Sequence, residues 1–367
     1  MHKPVILFVM HELNVGGAER VVSNLVNNID HEAFEVHLCL FKKKGALVET
    51  IAREVIIHDL EASRVLLSPH KLWSLILKLK PKVVFSSITH VNLLLSMLAP
   101  LLRPFLKETL FITREVNIPS IRAKYMPQSK KMDRFYKHTI GNFDYVIAQS
   151  NYMRDDLITH YGLKKEKVEV INNPLNVNFI LSQLEKKTSK KLLNSSKINI
   201  LATGNLRKQK GFDKLVEVMR YLDDRYHLTI IGEGVERALI EANIETFDVR
   251  ERVTLLGFQA NPYIYMKASD IVVLSSNYEG FPNVILEANA CGKFAVAYRC
   301  PGVSEEIIQH EINGCLVEFS DIKALAKSIE NHTAIHHNEI AIKETTKPYE
   351  VQNIVHRYQE IFMKKEA

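Results

Sequence analysis

Two glutamates in the second half of the chain are spaced so that they could bind a polar ligand together. Glu279 and Glu287 are separated by the sequence GFPNVIL. Pro282 suits the first position of a helix, and the amides of Asn283 and Val284 would then be free to bind an anion. Because side chains lean toward the helix N-terminus and a carboxylate repels phosphate, Glu287 is predicted to accept hydrogen bonds from sugar hydroxyls, with Glu279 across the same space. The alternative is a helix-capping acid beside an exposed loop acid.

A basic loop with the sequence TGNLRKQKGFD, residues 203–213, could supply the matching positive charge. Arg207, Lys208 and Lys210 precede a predicted helix, where cations oppose the helix dipole. An anion between them would reverse that cost, and a diphosphate has the right size and charge. A solvated basic turn is the alternative.

Two glycine-rich turns follow predicted strands. Gly16 and Gly17 open the first helix, where paired glycines let backbone N–H groups approach an anion closely. A plain tight turn is an equally good interpretation, and the sequence lacks the G-x-G-x-x-G pattern of dinucleotide sites. Gly232 and Gly234 form a second turn, against which a flat base or a ribose could lie.

The elements that must position these loops are short apolar runs alternating with helix-period segments. The runs are VILFVM, VHLCLF, VVFSSI, TLFIT and YVIAQS, and then INILATG, HLTIIG, VTLLGF, IVVLSS and FAVAYR. Strands that alternate with helices predict parallel sheets with right-handed crossovers. Two series predict two Rossmann-like domains, 1–174 and 175–346, separated at Asn173-Pro174, and a C-terminal helix in 347–367. Ligands of such sheets bind beyond the carboxyl ends of the strands.

Length and composition agree with a two-domain globular protein. The chain has 367 residues, of which 46% are hydrophobic and 25% charged. No apolar run reaches the ~18 residues of a membrane-spanning helix, and the first residues resemble a strand more than a signal peptide. Four widely spaced cysteines predict reduced thiols in a cytoplasmic protein.

Charge is distributed unevenly between the two halves. Residues 1–176 carry a net charge of +7 and residues 177–367 a net charge of −1. In the first half, Ser120–His138 combines basic and aromatic side chains, which predicts a surface for anionic lipid or for a polyprenyl diphosphate. A solvated helix face and a nucleic-acid surface are alternatives, although no nucleic-acid-binding motif is present. The apolar segment Val91–Leu106 is predicted to be a buried helix and loop, part of it near a membrane.

In combination, the motifs resemble family 4 retaining glycosyltransferases, which have the α/β GT-B fold. EGFPNVILEANACG is similar to the E-x7-E region of that family, and GNLRKQKGFD to its G-R-L-x-x-x-K-G loop. GGAER resembles the N-terminal glycine loop, and PGVSEEII with NGCLVE the closing segment. Nearly the whole chain is covered. The most similar members are bacterial enzymes of lipid-linked oligosaccharide, lipopolysaccharide or capsule assembly, including N-acetylgalactosaminyltransferases of protein glycosylation.

The resemblance implies two domains that face each other across a cleft, with the C-terminal helix crossing back to the first. It implies a UDP-sugar donor, Lys210 on the diphosphate, Glu287 on the ribose and Glu279 facing the donor sugar. The family's arginine after the first glycine is Asn205 here, and Arg207 could replace its charge. The expected catalytic residues are therefore Glu279, Lys210 and Arg207. The full donor-binding set is Gly16, Gly17, Gly204, Asn205, Gly234, Phe258, Gly280, Phe281, Pro282, Asn283, Val284 and Glu287.

Candidates for the acceptor site lie in the first domain. His90, Arg114 and Glu115 follow predicted strands, although a lone histidine at a strand end is more often structural. The basic stretch adds Arg122, Lys124, Lys130 and Lys131.

The resemblance implies that the reaction retains the anomeric configuration. No metal or other cofactor is expected, because no D-x-D sequence occurs and cations can stabilise the leaving diphosphate. The expected partners are a UDP-sugar and a lipid-linked or polysaccharide acceptor, without nucleic acid. The expected location is peripheral, on the inner face of the cytoplasmic membrane. Alternatives are a sugar-nucleotide epimerase or a phosphorylase of the same fold, a transferase with a soluble acceptor, and a catalytically inactive binding protein.

Overall fold

The chain folds into two compact units, each with its own parallel β-sheet. The computed structural model describes residues 3–14, 16–62, 64–125, 130–186, 193–303 and 306–364. Unit 1 comprises residues 1–174 and 351–367, and unit 2 comprises residues 175–350.

Unit 1 contains a seven-stranded parallel sheet in the order β3-β2-β1-β4-β5-β6-β7. Its central strands are buried over nearly their whole length, which explains why their sequences are mostly apolar. Apolar clusters lie on both faces of the sheet. The strands are β1 (Val5–Met10), β2 (Glu35–Leu40), β3 (Ile56–Asp59), β4 (Val83–Ser86), β5 (Leu110–Arg114), β6 (Tyr145–Ala148) and β7 (Val168–Val170).

Helices connect successive strands of this sheet as crossovers. They are α1 (Gly17–Asn28), α2 (Pro69–Leu79), α3 (Thr89–Leu102), α4 (Pro119–Tyr125), α5 (Lys130–Thr139) and α6 (Asn151–Tyr161).

Unit 2 repeats the arrangement with six parallel strands in the order β10-β9-β8-β11-β12-β13. The strands are β8 (Ile198–Thr203), β9 (Tyr226–Ile231), β10 (Val253–Gly257), β11 (Ile271–Leu274), β12 (Ala295–Tyr298) and β13 (Gly314–Val317). The helices are α7 (Val177–Leu184), α8 (Phe212–Val218), α9 (Arg237–Thr246), α10 (Tyr263–Ala268), α11 (Asn283–Ala290), α12 (Ile322–Thr333) and α13 (Glu339–Glu344).

The last helix, α14 (Val351–Phe362), belongs to unit 1 although it follows unit 2 in the chain. Its Phe362 ring lies 6.0 Å from the ring of Phe8, and its Tyr358 ring lies 5.7 Å from that of Phe85. The chain changes units at 174/175 and at 350/351, whereas the sequence analysis places the second change at 346/347. Residues 347–349 form a 3-10 turn that stays with unit 2, since the Tyr349 hydroxyl donates to the Glu306 carbonyl at 2.7 Å.

The expected fold class, two Rossmann-like parallel-sheet domains, is confirmed. Three strands were not predicted: β3, which is half-exposed, β7, which has three residues, and the short strand β13. The helix expected to run from Gly211 to Leu222 is shorter, because α8 ends at Val218 and continues as a 3-10 turn.

Candidate active site

Three loops of unit 2 are held together by close backbone contacts at the carboxyl ends of β8, β9 and β10. The Gly232 N–H donates to the Gly257 carbonyl at 3.0 Å. Gly232 has φ = +144°, and a Cβ there would lie closer than 3.0 Å to the Gly204 carbonyl. A Cβ at Gly234 would likewise lie closer than 3.0 Å to the backbone of Leu206. Glycine is therefore required here so that two strand-end loops can approach each other.

The basic loop after β8 is fixed to the loop after β11. Lys208–Lys210 form a 3-10 turn that ends at Gly211, which has φ = +60°. The Asn277 N–H donates to the Gln209 carbonyl at 2.7 Å, and the Ser275 hydroxyl donates to the Lys210 carbonyl at 3.0 Å. These bonds hold the Lys210 side chain over the carboxyl end of β11.

Lys210 and Glu279 form an ion pair at the centre of this region. The Lys210 Nζ lies 2.7 Å from the Glu279 Oε1, which also accepts a hydrogen bond from the Ser276 hydroxyl at 2.5 Å. Glu279 is 5% exposed, and its N–H donates to the Pro301 carbonyl at 2.8 Å. The structure therefore brings together two of the three side chains that the sequence predicts to be catalytic, and the hydrogen bonds of the two loops hold both in place.

The start of α11 differs in one respect from the expectation. Pro282 is the residue before the helix rather than its first residue. The Asn283 N–H donates to the Phe281 carbonyl at 3.0 Å, so this amide is not free. Of the two predicted anion-binding amides, only that of Val284 lacks a protein acceptor within the described residues. Glu287 lies half-buried on the next turn of the same helix.

The remaining predicted donor residues of unit 2 lie on the same strand-end loops. Asn205 and Arg207 are exposed on the basic loop, and Phe258, after β10, is 64% exposed. Gly280 is buried between Glu279 and α11. The replacement of the family arginine by Arg207 stays a prediction.

In unit 1, the glycine turn is occupied by a side chain of its own helix. Gly16 is the N-cap of α1, and the Glu19 carboxylate folds back over it, closer than 3.0 Å to the position of a Gly16 Cβ. Burial raises the pKa of Glu19, and the nearby Glu12 adds to this rise, against a backbone hydrogen bond that lowers it. A Cβ on Gly17 would meet no atom within 4 Å. A phosphate at this turn would have to displace Glu19.

His90 lies at the start of α3, at the carboxyl end of β4. Its ring packs edge-on against the His11 ring, with centroids 5.1 Å apart, and its Nε2 is buried without a hydrogen-bond partner within the described structure. Burial and the neighbouring His11 lower the pKa of His90 to about 4, against an opposing effect of Glu12. His90 is therefore a neutral imidazole near pH 7.

This environment predicts a pH-dependent loss of stability below pH 6.5. The folded-state pKa of His90 is depressed, so the unfolded chain binds the proton more tightly, and the free energy of unfolding falls as the pH drops from 6.5 toward 4. After allowance for solvent screening, the His90 share between pH 7.5 and 5 is about 1–2 kcal/mol. Denaturant unfolding at pH 7.5 and pH 5 checks this prediction. Between these two pH values, the free energy of unfolding of His90→Gln should fall by less than that of wild type, the difference being the His90 share. His70→Gln, at an exposed histidine of α2, should behave as wild type, and an unchanged pH slope in His90→Gln would contradict the assignment.

Arg114 and Glu115, both predicted acceptor residues, are enclosed in unit 1. Arg114 is 1% exposed and donates to the Ser87 hydroxyl at 2.9 Å and to the Asn173 side chain. Glu115 is 0% exposed and accepts a hydrogen bond from the Tyr136 hydroxyl at 2.6 Å, while its Oε2 has no partner in the described residues. Burial raises the pKa of Glu115. Contact of either residue with an acceptor stays a prediction.

Arg122 is buried, whereas the predicted lysines are exposed. Arg122 forms an ion pair with Asp133 and donates to the Thr89 hydroxyl at 2.5 Å, so it fastens α4 to α5 and α3. Its pKa is raised, because the attraction of Glu115 and Asp133 exceeds the opposing effect of burial. Lys124, Lys130 and Lys131 extend from α4 and α5 toward solvent.

Sequence reasoning missed the residues that hold the predicted ones in place. Ser276 and Asn277 lie three and two residues before Glu279 in the sequence SSNYEG, and their polar character at a strand end was the available signal. For His11 and Asn173 no local signal exists, since their partners are distant in sequence.

Comparisons with known proteins agree with this architecture. The model of the family described as Glycosyltransferase Family 4 matches residues 15–179, and that described as Glycosyl transferases group 1 matches residues 184–340. The chain is 28% identical, over 88% of both chains, to the N-acetylgalactosamine-N,N'-diacetylbacillosaminyl-diphospho-undecaprenol 4-alpha-N-acetylgalactosaminyltransferase of Campylobacter jejuni. It is 23% identical to the amylovoran biosynthesis glycosyltransferase AmsD of Erwinia amylovora, over 83% of both chains.

A solved structure shows the same fold. The Anabaena protein HepE, in complex with UDP and glucose, superimposes with a TM-score of 0.78 at 20% identity, over 98% of this chain and 99% of HepE. The paired Lys210 and Glu279 at the strand ends of unit 2, the two sheets and the two adjoining family matches lead to one conclusion. The chain belongs to the family 4 glycosyltransferases of the GT-B fold and is a transferase enzyme.

Proposed function

We propose that the enzyme transfers a sugar, an N-acetylhexosamine or a hexose, from a UDP-sugar to a lipid-linked or surface-polysaccharide acceptor with retention of configuration, giving an α-linkage. The observation that carries the proposal is the Lys210–Glu279 ion pair, held beside the start of α11. The C. jejuni relative acts on a diphospho-undecaprenol-linked acceptor by its name, and HepE binds UDP and glucose.

The leaving group sets the main chemical demand. When the bond between the anomeric carbon and the UDP oxygen breaks, negative charge develops on the diphosphate and must be stabilised. The Lys210 ammonium and the Val284 amide lie in the same strand-end region and are the groups proposed to do this. Because the loop hydrogen bonds already fix Lys210, little reorganisation is needed when the donor binds.

Retention follows if the acceptor hydroxyl attacks the face from which UDP departs. The acceptor oxygen forms the new bond to the anomeric carbon, and its proton passes to an oxygen of the leaving diphosphate. No side chain has to act as the base. Glu279 holds Lys210 in place and faces the donor sugar. Glu287 accepts hydrogen bonds from the ribose hydroxyls.

The acceptor is proposed to bind unit 1. Lys124, Lys130 and Lys131 are exposed ammonium groups that could meet an acceptor diphosphate. The neutral His90 lies at the carboxyl end of β4 and is suited to hydrogen bonding with a sugar hydroxyl. The enzyme is proposed to act as a peripheral protein on the inner face of the cytoplasmic membrane. No helix in the described part of the chain has the length and apolar character to cross a bilayer.

The proposal also includes no metal cofactor. The described residues contain no group of three or more His, Cys, Asp or Glu side chains placed to hold a metal ion. Transfer should continue at an unchanged rate in excess EDTA, and a loss that Mg²⁺ or Mn²⁺ restores would contradict this part of the proposal.

A panel of nucleotide sugars tests the donor and the reaction together. Each is scored for thermal stabilisation of the enzyme, for hydrolysis, and for transfer to a polyprenyl-diphosphate sugar. We expect one UDP-sugar to raise the Tm and to turn over mainly with acceptor.

Glu287→Gln should weaken UDP binding about tenfold or more, as expected for a lost charge-assisted hydrogen bond. Glu318→Gln, at an exposed acid of unit 2, is the control and should bind UDP as wild type does.

The outcomes separate the alternatives. Stabilisation with transfer only to soluble sugars would replace the lipid-linked acceptor. Conversion of the UDP-sugar without any acceptor would favour an epimerase. Binding without turnover would favour a binding protein, and no stabilisation by any nucleotide sugar would overturn the proposed donor site.

A further inference from the structure

Helix α3 in unit 1 exposes a stripe without polar side chains. Met97 and Leu101 are 41% and 59% exposed, and Phe105, just after the helix, is 65% exposed. Pro100 and Pro104, between them, are also exposed. Met97, Pro100 and Leu101 are three or four residues apart and so lie on one face of the helix, and Pro104 and Phe105 follow in the turn after it. A helix that is apolar on its solvent face as well as on its buried face is matched to a nonpolar environment.

The apolar surface continues onto neighbouring elements. Leu66 and Leu67, in a 3-10 turn that packs beside α3, are 48% and 67% exposed. The Trp73 ring of α2 packs edge-on against the Phe105 ring, with centroids 6.2 Å apart. Exposed apolar patches of this kind mark sites of protein or membrane interaction.

Most of the charges around this surface are positive; the exposed acids Glu61 and Glu108 lie on the adjoining loops. Helices α2 and α5 both pack against α3. They carry Lys71, Lys78, Lys130, Lys131, Arg134 and Lys137, and the only acid on the three helices, Asp133, is buried in its ion pair with Arg122. Phe135, on α5, is 49% exposed among these cations. A protein partner of ordinary composition would not require this excess of cations, whereas an anionic bilayer attracts it.

We propose that α3, with the flanking cations of α2 and α5, is the surface by which unit 1 binds an anionic lipid bilayer. Leu101, Phe105 and Leu67 enter the interface between headgroups and acyl chains, and the cations contact lipid phosphates. This inference rests on the proposed function, in which the acceptor is carried by a lipid, and it names the surface that brings the enzyme to that lipid.

Vesicle flotation of the full-length protein tests the surface. We expect wild type to float with vesicles of phosphatidylcholine and phosphatidylglycerol, and to bind vesicles of phosphatidylcholine alone at least tenfold more weakly. Leu101→Asp with Phe105→Asp should weaken binding to the anionic vesicles more than tenfold. Arg134→Glu with Lys137→Glu, at exposed cations of α5 outside the proposed acceptor set, should do the same and also reduce the salt dependence. Ile335→Asp, at a unit 2 residue that is 53% exposed, is the matched control and should bind as wild type.

Circular dichroism confirms that each variant is folded, and light scattering reports the oligomeric state. Wild-type protein that remains at the bottom of the gradient would overturn the inference. Leu101→Asp/Phe105→Asp protein that floats as wild type would also overturn it. A wild-type dimer that becomes monomeric in that variant, without vesicle binding, would assign the stripe to self-association instead. Transfer to a detergent-solubilised acceptor is measured in parallel. A variant that loses vesicle binding but still transfers sugar to this acceptor would support the lipid-binding role of the surface. Absence of transfer in wild type would contradict the proposed function and leave the vesicle-binding result unaffected.

Discussion

Lys210→Ala should lower kcat/KM for sugar transfer by about 10²–10³-fold, the range found when one preorganised electrostatic contact to a transition state is removed. Two effects combine. The leaving diphosphate loses its ammonium partner, and the buried Glu279 carboxylate loses the ion pair of 2.7 Å that neutralises it. Initial rates with a saturating acceptor, over a range of donor concentrations, measure the loss.

A double variant separates these two effects. If Lys210 served only to neutralise Glu279, then Lys210→Met with Glu279→Gln would be as active as Glu279→Gln alone, because a neutral pair leaves no unpaired charge. We expect the double variant to be less active than Glu279→Gln, since the diphosphate would still lack a cation. Lys327→Ala, at an exposed lysine that is 69% accessible in its side chain, should stay within about twofold of wild type. Equal activity of the double variant and Glu279→Gln would limit Lys210 to a structural role.

Gly232→Ala should be the most damaging single-methyl change in unit 2. The backbone at Gly232 has φ = +144°, which an alanine adopts only with strain, and the added Cβ would lie closer than 3.0 Å to the Gly204 carbonyl. Strain and overpacking together should reduce the free energy of unfolding by about 3–5 kcal/mol. UDP binding should fall with it, because the same contact positions the basic loop. Denaturant unfolding and UDP titration measure both effects.

Gly141→Ala is the corresponding control. Gly141 lies in a 3-10 turn of unit 1, and a Cβ there would meet no atom within 4 Å. Its unfolding free energy should stay within about 0.5 kcal/mol of wild type. If Gly232→Ala were equally stable, the carboxyl ends of β8 and β9 would be able to separate without cost, and the steric argument would fail.

The fold was predictable because its strongest signals are local. A buried parallel strand is apolar on both faces, so runs such as VILFVM and IVVLSS identify themselves without knowledge of their partners. The strands that were not predicted, β3, β7 and β13, are short or half-exposed. Their extended conformation depends on hydrogen bonding to the neighbouring strand, and their own composition gives little signal. The sequence also leaves open which residue precedes a helix, as the position of Pro282 shows.

The candidate site was predictable where a resemblance fixes residues, and less so where packing decides. Glu279 and Lys210, which the motifs assign to one donor site, are 69 residues apart in the chain and form an ion pair that the motifs do not predict. Arg114, Glu115 and Arg122 follow strands or open a basic stretch, which made them candidates for ligand contact. Their burial results from tertiary partners such as Asn173, and neither composition nor spacing contains that information.

The position of α14 has a consequence for synthesis on the ribosome. Unit 2 is contiguous, so it can complete its core as soon as residue 350 has left the exit tunnel. All seven strands of unit 1 have been synthesised by residue 170. Phe8, Phe85 and Arg114, however, lack their packing partners Tyr358 and Phe362 until α14 has been synthesised. At 5–20 residues per second this interval lasts roughly 10–40 s. The first domain to be translated is thus the last to be finished, and a nascent chain stalled before α14 presents an uncovered apolar face to chaperones.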